Sequence, residues 1–188
     1  MKDIPNRPVA YVAPRWAWCI ATGLGSGRLR PAPGTWGSLA GCIAWLVLVY
    51  LAHPLSPLVF ECLLGATVLA IIFVSIISAG LVARQVGKDD PSYVVSDEWA
   101  GVWLSLWPVR HHVAIAMGNH HSGNWKLPVF GVVVAFLFFR IFDIWKPWPI
   151  KKLEGMPGGW GITLDDVCAG IFAGLALYCT MFFLWHFK

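Results

Sequence analysis

Residues 58–82 read LVFECLLGATVLAIIFVSIISAGLV. A membrane-spanning helix needs roughly 20 predominantly apolar residues, so this stretch is long enough to cross a bilayer, and it sets the class of the whole chain. A second apolar run, Trp36–Leu55, precedes it, and the tight turn His53-Pro54-Leu55-Ser56-Pro57 joins the two. Downstream, Leu127–Asp143 and Val167–Phe187 repeat the pattern. Between them Glu98–Val109 is apolar but short for a full span, and reads as tilted, broken or re-entrant. The expected fold class is all-α: a polytopic membrane protein of about four or five transmembrane helices, with its polar loops gathered on the cytoplasmic face. We expect one membrane-embedded domain over residues 1–188, with residues 1–15 as a polar tail. No internal repeat and no separate soluble domain is visible.

Composition agrees. Of 188 residues, 57% are hydrophobic and 13% charged, against about 45–50% and 25% in ordinary soluble domains. Many of the 12 tryptophans flank the apolar blocks (Trp16, Trp36, Trp107, Trp125, Trp145, Trp148, Trp185), as interfacial anchors do. The first fourteen residues hold Lys2, Asp3 and Arg7 but no apolar core of a signal peptide, so insertion by the spans themselves is expected. Five cysteines without CxxC spacing read as small buried hydrophobes. The net charge of +4 is too diffuse to argue for nucleic acid. Basic loops beside spans report orientation and contact with anionic lipid instead.

Orientation follows from counting Lys and Arg. If the run from Glu98 crosses, five spans leave eleven of the 14 on one side and only Arg110, Lys126 and Lys188 on the other. The positive-inside rule then puts the eleven in the cytoplasm. The clustered acids fall on that same side.

Those acids carry the functional reading. There are ten in all, and Asp89, Asp90, Asp97, Glu98, Asp143, Asp165 and Asp166 sit at or just inside the ends of apolar stretches. A charge near the hydrocarbon region costs about 2.5–3.5 kcal/mol on insertion scales unless it is paired or bound to a cation. Adjacent carboxylates with oxygen-only donors suit a hard ion such as Mg²⁺, while one Asp alone is explained by a helix N-cap. Arg140, Asp143 and Lys146 recur at helical spacing, which lets the two bases grip a phosphate while Asp143 faces the metal; an internal Arg–Asp pair is the plainer alternative. Gly23-Leu24-Gly25-Ser26-Gly27, then Thr35 and Ser38 at the mouth of the first span, offer glycine backbone and hydroxyls to an anion. This is not a Walker A loop, since no Gly-Lys-Ser/Thr follows; the plainer reading is an interfacial turn with a helix cap. Asp165-Asp166 follow a Gly-rich loop and read as paired aspartates at a helix N-terminus. His111/His112 and His120/His121 fall on the opposite side from the carboxylates, with no acid in their own loop, which argues against zinc.

Taken together and in order, these constellations resemble the phosphatidylglycerophosphatase A family of bacterial membrane lipid phosphatases. The carriers are Gly23-x-Gly-Ser-Gly27 with Pro33-Gly-Thr-x-Gly-Ser38; Asp90 with Val94-Val-x-Asp97-Glu98-x-x-Gly101-x-Trp103; Phe139-Arg140-x-x-Asp143-x-Trp-Lys146-Pro-Trp-Pro-Ile150; and Gly158-Gly-x-Gly161-Ile-x-x-Asp165-Asp166-x-x-Ala-Gly170. The chain departs from the family at Arg28-Leu29-Arg30, where a neutral stretch is usual, and its loop from Arg110 to Lys126 is longer. The resemblance implies Mg²⁺-dependent hydrolysis of phosphatidylglycerophosphate to phosphatidylglycerol and phosphate, in the bacterial inner membrane with the site facing the cytoplasm. It implies metal ligands among Asp90, Asp97, Glu98, Asp143, Asp165 and Asp166, the last five also as catalytic groups. Phosphate would be held by Arg140 and Lys146, assisted by Ser26, Thr35 and Ser38. Direct attack of water on a metal-bound phosphate is the expected mechanism, because no Cys-x5-Arg nucleophile, no Asp-x-Asp-x-Thr/Val and no Lys-x6-Arg-Pro signature occurs. The expected partners are the phospholipid substrate and the bilayer, with no nucleic acid. Two rivals remain: an ion or anion transporter, which also uses intramembrane carboxylates, and a lipid phosphotransferase of the CDP-alcohol type, whose Asp spacing and Ala-Arg element are missing here.

Overall fold

A computed structural model of the chain describes residues 11–118 and 125–186. They form eight α-helices and no strand: α1 (Arg15–Ala21), α2 (Pro33–Ala52), α3 (Pro57–Val86), α4 (Ser96–Ser105), α5 (Arg110–Gly118), α6 (Lys126–Trp145), α7 (Ile150–Glu154) and α8 (Gly159–His186). Four of these, α2, α3, α6 and α8, are long and apolar enough to cross a membrane. Proline opens α2 and α3, where its missing N–H costs nothing, and Gly87 at φ +67° ends α3. His120 and His121 lie outside the described residues, as do Lys2, Asp3 and Arg7.

A fifth crossing is built in pieces. The segment 96–118 consists of α4, a 3-10 turn over Trp107–Val109, and α5. Its two ends reach opposite ends of the bundle. Glu98 at its start bonds Arg140 near the C-terminal end of α6. Arg110 at the start of α5 bonds Glu61 in the first turns of α3, and Gly118 lies close to His53 in the α2–α3 turn. The short apolar run is therefore broken but does traverse, and all the acid clusters end at one face, as the five-span reading requires.

Helix α4 is the centre of the bundle and packs on α8, α2 and α3. It comes close to α8 because glycine faces glycine: a Cβ on Gly170 would collide with the Gly101 carbonyl, and one on Gly101 would stand 2.6 Å from the Asp166 carbonyl. Small residues allow such approach where hydrophobic force between helices is weak. Around this seam Trp45, Leu64, Leu106, Phe139 and Leu177 are fully buried, and Trp103 Nε1 donates to the Gly41 carbonyl at 2.8 Å. Outward-facing Leu69, Phe73, Leu137, Leu175 and Phe183 are exposed, the inverse of a soluble surface. All five cysteines are free. Only Cys42 is buried, while Cys62 and Cys179 lie on outer faces of α3 and α8, so the expectation of burial holds inside the protein for one of them alone.

One expected boundary moves. Asp165 and Asp166 are not at a helix N-terminus: α8 starts at Gly159, and they lie on its second turn. The glycines before them serve packing rather than a phosphate loop. A Cβ on Gly159 would collide with the Ile76 carbonyl of α3, so glycine here brings two helices into contact.

Candidate active site

Four segments converge on the end of the bundle where α3 and α6 finish and α4 and α8 begin. The loop after α3 brings Asp90 and Ser92, the first turn of α4 brings Asp97 and Glu98, the last turn of α6 brings Asp143 and Lys146, and α8 brings Asp165 and Asp166. Together with Val94 and Ile162 they line one cavity of about 180 Å³. Six of the chain's ten carboxylates thus share one small space. Asp97, Glu98, Asp165 and Asp166 are all buried, each with under a tenth of its surface exposed.

Two cations hold this array. Arg140 Nη1 donates to Glu98 Oε2 at 2.5 Å, to Ser38 Oγ at 3.2 Å, and pairs with Asp143 Oδ2 at 2.9 Å one turn on. The Ser38 hydroxyl in turn has Glu98 Oε2 and, at 3.0 Å, the Gly34 carbonyl as acceptors for its one hydrogen. Gly34 leaves room for the carboxylate, since a Cβ would push Glu98 Oε1 from its place. Lys146 Nζ donates to Asp165 Oδ2 and to Glu154 Oε1, both at 2.8 Å. Burial works to lower the lysine, but its bonds to Asp165 and Glu154 prevail and hold it above the usual lysine range. Asp165 Oδ1 also accepts the Asp166 backbone N–H at 3.0 Å. Below the carboxylates, Ser75 of α3 lies within hydrogen-bond reach of Ser96 (2.9 Å) and Thr163 (3.1 Å), a buried hydroxyl cluster that ties three helices together beneath the site.

Asp97 Oδ1 is buried with no hydrogen-bond partner. An orphan carboxylate oxygen among five other carboxylates is costly unless something positive completes it. Among the described residues no three His, Cys, Asp or Glu side chains are already arranged to hold a metal ion. The donor chemistry does fit a hard divalent cation: the acids are all oxygen donors, and one of them is unpartnered in a polar cavity.

Most of the sequence-derived residues therefore meet: Asp90, Asp97, Glu98, Asp143, Asp165, Asp166 and Lys146 line the cavity, and Arg140 and Ser38 bond its Glu98. Two do not. Ser26 Oγ donates to the Gly23 carbonyl at 2.8 Å, closing its own turn, and Thr35 is exposed on the first turn of α2. The glycine turn is a packing element: a Cβ on Gly27 would collide with the Tyr93 carbonyl, and the Val95 N–H donates to the Ala21 carbonyl at 2.7 Å. Glu154 escaped the sequence reading because it sits in a Pro/Lys/Gly-rich stretch. Its only signal was an acid beside Lys151 and Lys152. It lines a second cavity of about 350 Å³ with Asp89 and the 155–158 loop, adjoining the first at Asp90, Ile162 and Asp165. At the other end of the bundle, Glu61 Oε1 lies 2.8 Å from both Arg110 Nε and His111 Nε2, so that histidine has an acidic partner on another helix.

The family model for phosphatidylglycerophosphatase A matches residues 19–181. A protein of Bacteroides thetaiotaomicron named as a putative phosphatidylinositol-3-phosphatase is 38% identical over 82% of this chain and 86% of its own length. Proteins named phosphatidylglycerophosphatase A are 32% identical in Escherichia coli, over 85% of this chain and 80% of theirs, and 33% identical in Haemophilus influenzae, over 88% of each. No solved structure matches. With its apolar helices and a family match over most of its length, the chain is a membrane protein that belongs to the phosphatidylglycerophosphatase A family.

Proposed function

We propose that the chain is a Mg²⁺-dependent lipid phosphatase that converts phosphatidylglycerophosphate to phosphatidylglycerol and inorganic phosphate in phospholipid biosynthesis. It would sit in the bacterial inner membrane with this cavity facing the cytoplasm. The observation that carries the reading is the gathering of six carboxylates with Arg140 and Lys146 at one end of an apolar bundle. The relatives' names support it, since they share one chemistry, a phosphomonoester on a lipid headgroup. Two of the three name phosphatidylglycerophosphate as the substrate class. The orientation rests on charge. Among described residues, Arg15, Arg28, Arg30, Arg84, Lys88, Arg140, Lys146, Lys151 and Lys152 belong to the segments at the cavity end, and Arg110 and Lys126 to those at the other.

In this reading the terminal phosphate enters the cavity and meets the donors of Arg140 and Lys146. The arginine bonds described above all use Nη1, and Lys146 commits two of its three donors, so both retain N–H groups for phosphoryl oxygens. A bound Mg²⁺, held by oxygens from some of Asp90, Asp97, Glu98, Asp143, Asp165 and Asp166, would neutralise phosphoryl charge and acidify a water at a remaining position. One of these carboxylates, free of the metal, would take that water's proton as its oxygen attacks phosphorus. The bond from phosphorus to the glycerol oxygen breaks, and that oxygen takes up the proton held by that carboxylate to leave as phosphatidylglycerol. A gathering of acids at one end also suits surface chemistry better than ion flux, which needs a polar path at mid-depth.

The test is phosphate release by purified protein in detergent, from phosphatidylglycerophosphate and from phosphatidylinositol 3-phosphate, with Mg²⁺ or with EDTA. Release from the first that stops with EDTA supports the reading. A preference for the inositol lipid would transfer the substrate assignment, and a trapped aspartyl-phosphate would overturn the direct attack of water.

A further inference from the structure

Among the cavities outside the catalytic reading, one is lined by arginines. On the outer side of α1, a space of about 420 Å³ is lined by Arg15, Trp18, Thr22, Leu24 and Arg28, among others, and no carboxylate lines it. Neither arginine forms an ion pair among the described residues. The other polar groups are spoken for: Trp18 Nε1 donates to Gln85 Oε1 at 2.9 Å, and the Thr22 hydroxyl donates to the Trp18 carbonyl at 2.8 Å. Two guanidinium groups are left as the donors facing this space, and arginine's planar fork matches a phosphate.

The surroundings indicate where that phosphate comes from. Val12, Trp16, Leu24 and Leu29 are exposed beside the arginines, Leu24 to 72%. Exposed apolar side chains interleaved with arginine, at the end of an apolar bundle, are the make-up of a segment lying at a membrane surface. The position is beside the catalytic mouth: Gly27 rests on the Tyr93 carbonyl, next to Ser92 and Val94 of the acid-lined cavity, and Gly34 abuts Glu98.

We propose that Arg15 and Arg28 form a binding site for the phosphodiester of an anionic glycerophospholipid, separate from the carboxylate cavity. The bilayer supplies this ligand laterally, with its acyl chains against Trp16 and Leu24. The site adds to the phosphatase reading without depending on it, because occupancy is read without turnover.

The experiment is native mass spectrometry of the full chain released from detergent after incubation with equal phosphatidylglycerol and phosphatidylcholine, for wild type, for Arg15→Gln/Arg28→Gln, and for Arg30→Gln. Arg30 is exposed in the same stretch but does not line the cavity. We expect wild type and Arg30→Gln to retain phosphatidylglycerol over phosphatidylcholine. The double variant should bind it about thirtyfold more weakly, from roughly 1 kcal/mol for each of the two basic residues near an anionic surface. Equal retention by wild type and the double variant overturns the site. So does equal loss in Arg30→Gln, which would mean diffuse charge, and so does displacement of the lipid by excess inorganic phosphate, which would mean a free-phosphate site. If the double variant does not elute as a folded species, Arg28→Gln alone carries the same comparison.

Discussion

The two ends of the bundle use the same ingredients in different proportions. At one end Glu61 meets two basic partners, Arg110 and His111, and both rings beside them pack: the Arg110 guanidinium sits 4.7 Å above Trp107, and His111 lies 5.8 Å from Phe60. That cluster is balanced and ties the broken crossing to α3. At the other end six carboxylates share one cavity with Lys146, Arg140 bonds two of them from beside it, and one Asp97 oxygen has no partner. Buried charge is tolerated when it is paired and is costly when it is not. Balance therefore marks the structural end, and the surplus of acid marks the end where an external cation and phosphate chemistry have a place.

This contrast is broken or sharpened by substitution. The largest effect is expected from Asp166→Asn or Asp165→Asn, which remove charge from the cavity: phosphate release should fall by about 10³-fold, as for groups acting in the transition state, with elution of the protein unchanged. Arg140→Ala comes next and differs in kind. It leaves Glu98 and Asp143 buried without their counter-charge, so stability should drop by about 3–5 kcal/mol, seen as a lower Tm in detergent together with lost activity. Lys146→Ala should act mainly on KM, by about tenfold for one charge-assisted contact. Glu154→Ala should raise KM only a few-fold and do nothing further in a Lys146→Ala background, because its one contact in the site is Lys146. Smallest of all, Glu61→Gln should cost about 1 kcal/mol of stability and leave kcat within about twofold. A collapse of kcat there would erase the distinction between the two ends.

The sequence was most legible where chemistry is local. Apolar runs located the four long helices, and the acids were recognisable as a set because a lipid-facing helix has no other use for them. Their convergence was accessible through orientation, since five crossings put every cluster on one side. Three features required packing to be seen. That the run 98–109, legible as tilted, broken or re-entrant, breaks at Pro108 and still traverses is shown by the contacts of Arg110 and Gly118 at the far end. Gly27 and Gly159 belong to stretches with the residue types of anion-binding loops, yet each admits the backbone of a neighbouring segment, and α8 begins at Gly159. Glu154 and Glu61 are lone acids whose roles depend on partners outside their own helices, Lys146 and through it Asp165 for the first, and Arg110 for the second.

The central claim is that the carboxylate cavity is the catalytic centre, and Asp97→Asn tests it most directly, replacing the orphan oxygen with an amide of the same shape. The measurement is the rate of phosphate release from phosphatidylglycerophosphate by the purified variant and wild type in Mg²⁺, with both eluting as the same folded species. We predict a variant rate about 10³-fold below wild type. A variant that releases phosphate at the wild-type rate would contradict the account and place the chemistry elsewhere on the molecule.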